Sequence, residues 1–502
     1  MSLARTLEPC VRQAAATFPV VVLTGPRQCG KTTLLQGLFG ASHGYASLDH
    51  PDLVARAHAD PVSFLRDHPT PLVLDEVQHA PGLLPYIKAA VDGDRRPGRF
   101  VLTGSQSFPL MRGVAESLAG RAALLRLDPF TVAERQAIAT GSMERLLAQV
   151  FGATDARWNR QDLGAWMLRG GYPEPCLRDT VEPSLWFSSY IDTYLARDVR
   201  DLLQVGDLVT FQRFLVLCAA RSGRLLNFAD LARDVGIAPT TARRWLSVLE
   251  ASQIVHQVQP WFENYGKRIA KASKLVFLDV GLCAALMGLR SVEAMMHGPA
   301  AGALAETAVI AEWIKAFRSR GHEPRVYHWN AHGGVEVDLV VEWDGRLHAI
   351  EVKGTATPTP HHAAGLRQWL GWAGPQASGA VACLVERPTA LAPDIRAVPW
   401  HLAVVAARGA APARRRGEGA GSIAALANER NAQDACPGGA RGPAAASGRG
   451  SLLRVPQGLW SRRQCPSVAL RANQRRDRRR RCGGGAAAVR RRRRRGARYS
   501  VL

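Results

Sequence analysis

TGPRQCGKTTLL, residues Thr24–Leu35, decides how the first part of this chain is read. Gly25, four residues, then Gly30-Lys31-Thr32 reproduce the pattern G-x-x-x-x-G-K-[ST]. Glycines in such a loop let backbone N–H groups curl around a polyphosphate without Cβ clashes. The loop Gly25, Pro26, Arg27, Gln28, Cys29, Gly30, with Lys31, Thr32 and Thr33, is therefore the expected cradle for the phosphates of ATP. Lys31 is expected to reach the β- and γ-phosphates, and the Thr32 hydroxyl to ligate Mg²⁺. The apolar run FPVVVL before the loop reads as a strand buried on both faces. The segment after it reads as a helix whose positive end faces the phosphates.

Working outward, YASLD (45–49) reads as a second strand and PLVLDEVQHAP (71–81) as a third that ends on Asp75-Glu76. An Asp there can hold Mg²⁺ through water, and the neighbouring Glu can polarise the attacking water. RFVLTGSQS (99–107) is the next strand, ending in Thr103, Ser105 and Gln106, hydroxyls and an amide near the expected γ-phosphate. ESLAGRAALLRLDPF (116–130) brings Arg121, read either as a phosphate-sensing or as a structural arginine, and the last strand. Strands alternating with helices give a doubly wound parallel α/β domain over residues 1–140.

TGPRQCGKTTLL, LVLDEVQHAP, FVLTGSQSF and ESLAGR, in this order and spacing, resemble the prokaryotic AAA-type P-loop ATPases that carry a C-terminal domain of unknown function. The resemblance spans about residues 5–405. It implies that Lys31 and Thr32 bind phosphate and Mg²⁺, that Asp75 serves the metal and Glu76 is the base. It also implies that Ser105 stands at a sensor position, where other AAA-type proteins commonly have Asn, and that Arg121 senses phosphate.

Residues 141–210 read as a helical linker region. In LLNFADLARDVGIAPTTARRWLSVLEASQIVHQVQPW (225–261), Phe228, Leu231 and Val235 lie at helix spacing, Gly236 breaks the helix and Pro239 opens a second. With the following strand this is a winged-helix pattern over 211–272. Thr240, Thr241, Arg243 and Arg244 would face a major groove if DNA binds; packing between domains is the other use of such a module.

A restriction-nuclease-like α+β domain is expected over 273–407. In VEVDLVVEWDGRLHAIEVKG (335–354), Asp344-Gly345 is a two-residue hairpin signal. That register sets Asp338 across from Glu351 and Glu336 across from Lys353 on one face, with Val337, Leu339, Ile350 and Val352 on the other. Opposed carboxylates repel unless a divalent cation relieves them. The acid followed by E-x-K on the next strand resembles the PD-(D/E)xK nuclease core. That likeness implies Asp338 and Glu351 as ligands of Mg²⁺ or Mn²⁺, with Lys353 and with Glu306 from the helix GALAETAVIAEWIKAF (302–317). A salt-bridged face in a degenerate nuclease fold is the alternative.

The net charge of +23 belongs to the end of the chain. Residues 401–502 hold 24 Arg, no Lys and four acids, while residues 1–400 are nearly neutral at +3. Residues 408–502, rich in Arg, Ala and Gly, are expected to be a disordered basic tail. It reads as a nucleic-acid-binding segment or as an out-of-frame extension of GC-rich DNA, so it does not make DNA the partner. Nine Cys without C-x-x-C spacing read as reduced thiols. Cys29 is read either as an oxidation-sensitive switch in the loop or as a tolerated small residue. The start MSLARTLEPC lacks the apolar core of a signal peptide, and no run approaches the ~18 apolar residues of a membrane span. The expectation is a soluble cytoplasmic ATPase with a DNA or protein partner, or a homo-oligomer. A nucleotide-switched regulator and an ATP-gated nuclease stay open beside it.

Overall fold

The computed structural model describes residues 3–105, 114, 116–152, 156–195, 208–262, 271–330 and 335–405, with the backbone alone at Ser105, Tyr194 and Leu195. These residues lie within one compact unit, Met1–Arg415. The expected tail, Gln106 and most of the segment 195–207 fall outside the described residues.

The first sheet is wholly parallel. It contains β1 (Val20–Gly25), β2 (Gly44–Ser47), β3 (Leu72–Asp75), β4 (Phe100–Ser105) and β5 (Ala122–Arg126) in the order β2-β3-β4-β1-β5. Every residue of β1 is buried, and its alternating side chains enter two separate cores. Val20 and Val22 pack with Phe64, Leu83 and Ile87, whereas Val21 and Leu23 pack with Val11, Leu34 and Leu35. Those partners belong to helices α1 (Glu8–Thr17), α2 (Lys31–Phe39), α3 (Pro51–Ala59), α4 (Pro61–Asp67) and α5 (Leu84–Gly93), and to short turns between them. A strand apolar on both faces thus requires helices on both sides, and the sequence supplies them.

After β5 the chain forms α6 (Val132–Arg135), α7 (Met143–Phe151), β6 (Arg157–Trp158), α8 (Leu163–Arg169), α9 (Pro173–Leu177) and α10 (Pro183–Tyr190). Thr131 and Glu134 cap α6 reciprocally. The expected all-helical stretch is interrupted by β6, which pairs with β16 (Val404–Val405) from the far end of the unit.

Next come α11 (Leu208–Ala220), β7 (Arg224–Leu225), α12 (Phe228–Val235), α13 (Pro239–Ala251), β8 (Val255–Pro260) and β9 (Lys274–Phe277). Asn227 caps α12 and Gly236, at φ 87°, ends it, a conformation that glycine adopts without strain. The remaining elements are α14 (Val280–Leu286), α15 (Val292–His297), α16 (Ala301–Arg318), β10 (Val326–Asn330), β11 (Glu336–Trp343), β12 (Arg346–Val352), α17 (Ala364–Ala373), β13 (Ser378–Cys383), β14 (Thr389–Ala392) and β15 (Ile395–Pro399). One mixed sheet runs β14-β15-β13-β12-β11-β10-β8-β9-β7. The strands that follow α13 are therefore not a separate wing. β8 is parallel to β10 through Tyr327↔Gln259 and His328↔Pro260, and the boundary expected at 272 falls between the paired strands β8 and β9. α16 lies against one face of this sheet, in a core with Leu339, Val341 and Ile350; α17 covers the other, with Val340, Ala349 and Val381.

Candidate functional site: the P-loop cleft and a carboxylate cluster

The loop between β1 and α2 opens at the carboxyl end of a parallel sheet, where ligands of such sheets bind. Its glycines are required by space and by torsion. A Cβ at Gly25 would stand 2.3 Å from the Leu127 carbonyl oxygen, and Gly30 has φ +95°. Lys31 is buried and donates to the carbonyls of Gly25 (3.1 Å) and Pro26 (2.9 Å). Asp75, at the end of β3, accepts from the Thr32 hydroxyl (2.7 Å), from the Tyr45 hydroxyl (2.7 Å) and from the Glu76 amide (3.0 Å). Thr32 and Asp75 thus meet in a hydrogen bond, with Lys31 next to Thr32 in the chain. Glu76 adopts φ 53°, an uncommon conformation for a non-glycine residue. Its carboxylate accepts from the Gln78 amide and lines the cleft.

That cleft measures about 1100 Å³ and includes Gln28, Gly30, Lys31, Thr32, Thr33 and Glu76. Pro26, Arg27 and Cys29 complete the loop around it. Cys29 is fully buried, and burial pushes its thiol up, so it is not poised as a reactive thiolate. The donor set of Thr32 and Asp75, a hydroxyl and a carboxylate beside a phosphate cradle, is all oxygen and suits Mg²⁺.

Ser105 ends β4 opposite Gly25 in the ladder, next to the loop; its side chain is outside the described atoms. Arg121 is elsewhere. It precedes β5, its carbonyl bonds Val20 at the start of β1, and its guanidinium is held by Asp92 at 2.5 Å. Amino and carboxyl ends of a parallel sheet are opposite edges, so Arg121 does not reach the cleft of its own chain.

Three contributors escaped the sequence reading. Tyr45 shares Asp75 with Thr32; burial, then the Asp75 hydrogen bond, raise its hydroxyl pKa and keep it a donor. Arg5 is buried, lines the cleft and spans from the Glu134 carboxylate (3.2 Å) to the Cys29 carbonyl (3.0 Å), bracing the loop. Arg135, at the end of α6, lines the cleft. Long-range partners such as Arg5 and Glu134 leave no local pattern to read.

The carboxylate cluster departs from its expectation in two ways. The hairpin turn forms as read, with Asp344 at φ 48° and Gly345 at φ 72°. Pairing keeps the expected register from Trp343↔Arg346 to Leu339↔Ile350. Beyond that the alternation breaks. On the β10 side the register shifts between Tyr327↔Val340 and Trp329↔Val337, and Val337 packs against α17 while Leu339 packs toward α16. Asp338 is therefore not a simple ladder partner of Glu351; its carboxylate accepts the Val352 amide at 2.8 Å.

Second, the acids carry their own cations. Lys274 of β9 is hydrogen-bonded to Glu306 of α16, and Lys353 to Glu351 at 2.6 Å. Burial, then the Asp338 charge, push Glu306 up to about 8 against the pull of Lys274. Burial and Asp338 likewise raise Glu351 to about 7. Among the described residues, no group of three or more His, Cys, Asp or Glu side chains is arranged to hold a metal ion. Glu306 and Glu351 of the expected set are instead hydrogen-bonded to lysines, one of them the Lys353 expected beside them and the other Lys274.

α15's successor α16 also joins the two regions. Arg318 pairs with Asp128 (2.9 Å), Glu312 accepts the Val132 amide (3.1 Å) and Lys315 donates to the Phe130 carbonyl (3.3 Å), all buried. Glu306 and Arg318 are twelve residues apart on this helix, roughly 18 Å. Among the described residues, no helix is long and apolar enough to cross a membrane.

The AAA domain profile matches residues 17–136, and profiles of two domains of unknown function, DUF8612 and DUF4143, match 160–293 and 301–403. The uncharacterized proteins Rv2008c of Mycobacterium tuberculosis and Mb2031c of Mycobacterium bovis are each 35% identical over 351 residues, covering 70% of this chain and 73% of theirs. Among solved structures, the Walker-type ATPase PABY2304 of Pyrococcus abyssi aligns at 15% identity and TM-score 0.33 over 56% of this chain and 94% of that one. A RuvB variant of Thermotoga maritima aligns at 18% and 0.25 over 51% and 90%. Both likenesses are distant and carry nothing beyond themselves. With its P-loop cleft and its AAA match, the chain belongs to the family of these mycobacterial proteins, an AAA-type P-loop ATPase family with a C-terminal domain of unknown function.

Proposed function

We propose that this protein binds ATP in the P-loop cleft and hydrolyses it there, driving or switching a DNA- or protein-directed C-terminal region. The observation that carries this reading is that Lys31, Thr32 and Glu76 line one cleft, with Asp75 hydrogen-bonded to the Thr32 hydroxyl and the Glu76 amide beside it. Lys31 would neutralise the β- and γ-phosphates, and Thr32 and Asp75 would hold Mg²⁺. Mg²⁺ at that position would neutralise charge on the phosphate oxygens. Glu76 orients a water for in-line attack on the γ-phosphorus and takes its proton. Ser105 would complete the polar wall.

Lys31→Ala is expected to weaken ATP binding about 100-fold. Glu76→Gln, which keeps the shape but not the base, is expected to retain ATP and to lose about 10²–10⁴ in turnover. Both are measured on the full chain by nucleotide titration and phosphate release. Equal turnover in Glu76→Gln and wild type removes Glu76 as base. Wild-type turnover as low as that of Glu76→Gln favours a nucleotide-switched regulator.

Duplex DNA added to the same assay tests the partner. Thr240, Arg243 and Arg244 are exposed on the first turns of α13, which supports a winged-helix-like contact with DNA. Unchanged turnover and no gel shift would leave that surface to packing. A second reading, an ATP-gated nuclease, has the gathering of Glu306, Asp338, Glu351 and Lys353 in its favour and Lys274 against it. Absence of plasmid nicking with Mn²⁺ and ATP sinks that reading.

A further inference from the structure

Arg135 and Arg121 stand on either side of β5. A parallel strand carries the chain from the amino edge of its sheet to the carboxyl edge, so only the later residue arrives on the ligand side. Arg135 does so at the end of α6, in the same cleft as Gly30, Lys31, Thr32 and Glu76. Its surroundings are unusual for an arginine. Nη1 is buried and without a hydrogen-bond partner. Among the described residues no carboxylate pairs with it, and the adjacent Glu134 is taken by Arg5 and by the amides of Thr6 and Thr131. The guanidinium carbon lies 5.9 Å from the Trp166 ring centroid, so an aromatic face is on one side and the cleft on another.

A buried donor without an acceptor is costly, and arginine is ordinarily retained in such a place for a planar, charged partner. On the nucleotide reading the anion that enters this cleft is a polyphosphate, and a guanidinium fork matches two of its oxygens.

We propose that Arg135 is a phosphate-binding residue of the nucleotide site, acting within its own chain in the role that the sequence suggested for Arg121. This rests on the nucleotide reading above. Because Arg135 also touches Trp166 of α8, the helical region after the parallel sheet forms part of the site. A nucleotide bound there would bridge the P-loop and that region.

The test is titration of the full chain with ATP and with ADP, alongside thermal unfolding without nucleotide. Arg135→Ala is expected to weaken ATP about 10- to 100-fold, and Arg135→Lys to restore part of the loss by returning the charge. The nucleotide-free melting temperature of Arg135→Ala should stay level or rise, since an unsatisfied buried donor is gone, while the ATP-induced shift shrinks. ATP affinity within twofold of wild type would overturn the proposal. So would an equal loss of nucleotide-free stability in Arg135→Ala and Arg135→Lys with ATP affinity retained, the mark of a packing residue. Lys31→Ala separates the two claims. If that variant binds ATP normally, the nucleotide reading fails; if it does not and Arg135→Ala does, only the present inference fails.

Discussion

The P-loop cleft and the carboxylate cluster are both built from charged side chains, and they balance those charges in opposite ways. In the cleft, Lys31 spends two of its three N–H groups on loop carbonyls, and Arg135 keeps a buried nitrogen unsatisfied. In the cluster Lys274 pairs with Glu306 and Lys353 with Glu351, while the buried Asp338 accepts the Val352 amide and Glu351 keeps one oxygen, Oε2, without a partner. Much of the cluster's charge is thus balanced by lysines inside the fold, whereas among the described residues the cleft's Lys31 and Arg135 have no carboxylate partner. Identical residue types, read without their neighbours, look like binding sites in both places.

Removing Lys274 attacks this contrast most directly. The Lys274–Glu306 pair is largely buried, with side chains 9% and 14% exposed, so deleting one partner strands a carboxylate beside Asp338. Lys274→Ala is expected to destabilise the protein by roughly 3–5 kcal/mol above about pH 8, where Glu306 is ionised, and by less below it, where Glu306 is protonated, read from denaturant unfolding. Mn²⁺ should recover part of this in the variant and add nothing to wild type. That result would make the cluster a metal site occupied by a lysine. An unfolding midpoint equal to wild type would mean that Lys274 is not what holds the acids together.

Local signals carried much of the fold. An unbroken apolar strand, a glycine-spaced loop and an acidic strand end located β1, the P-loop and Asp75-Glu76. Asp344-Gly345 located a turn whose two positive φ values fit those residues. The break at Asp338 was invisible because hairpin spacing fixes the register near the turn, whereas the β11–β12 pairing ends at Leu339↔Ile350 and the β10 pairing shifts beside it. Lys274 was invisible for a similar reason. It lies 32 residues before Glu306, on a strand assigned to no site, and nothing in the chain around it announces the partner. Arg121 was left open between two readings because an arginine near a strand does not say which end of the sheet it occupies; strand direction does.

A smaller effect sharpens the contrast through pH. Glu306 is raised to about 8 in the folded protein from an ordinary value of 4.5, chiefly by burial. The folded state therefore holds a proton that the unfolded chain has released. For a raised carboxyl this contribution to stability is complete below about 4.5 and is lost as pH rises through about 8. Its slope cannot exceed about 1.4 kcal/mol per pH unit. Wild type should lose about 2 kcal/mol between pH 6 and 8 that Glu306→Gln, uncharged throughout, does not lose. The buried histidines act in the other direction and at lower pH: His256 is lowered to about 3 and His328 to about 4, each chiefly by burial, so their contributions fade as pH drops below 6.5. The difference between wild type and Glu306→Gln above pH 6 is free of them. Parallel stability curves over that range would mean that Lys274 keeps Glu306 ionised throughout, a fixed ion pair in which no proton is exchanged.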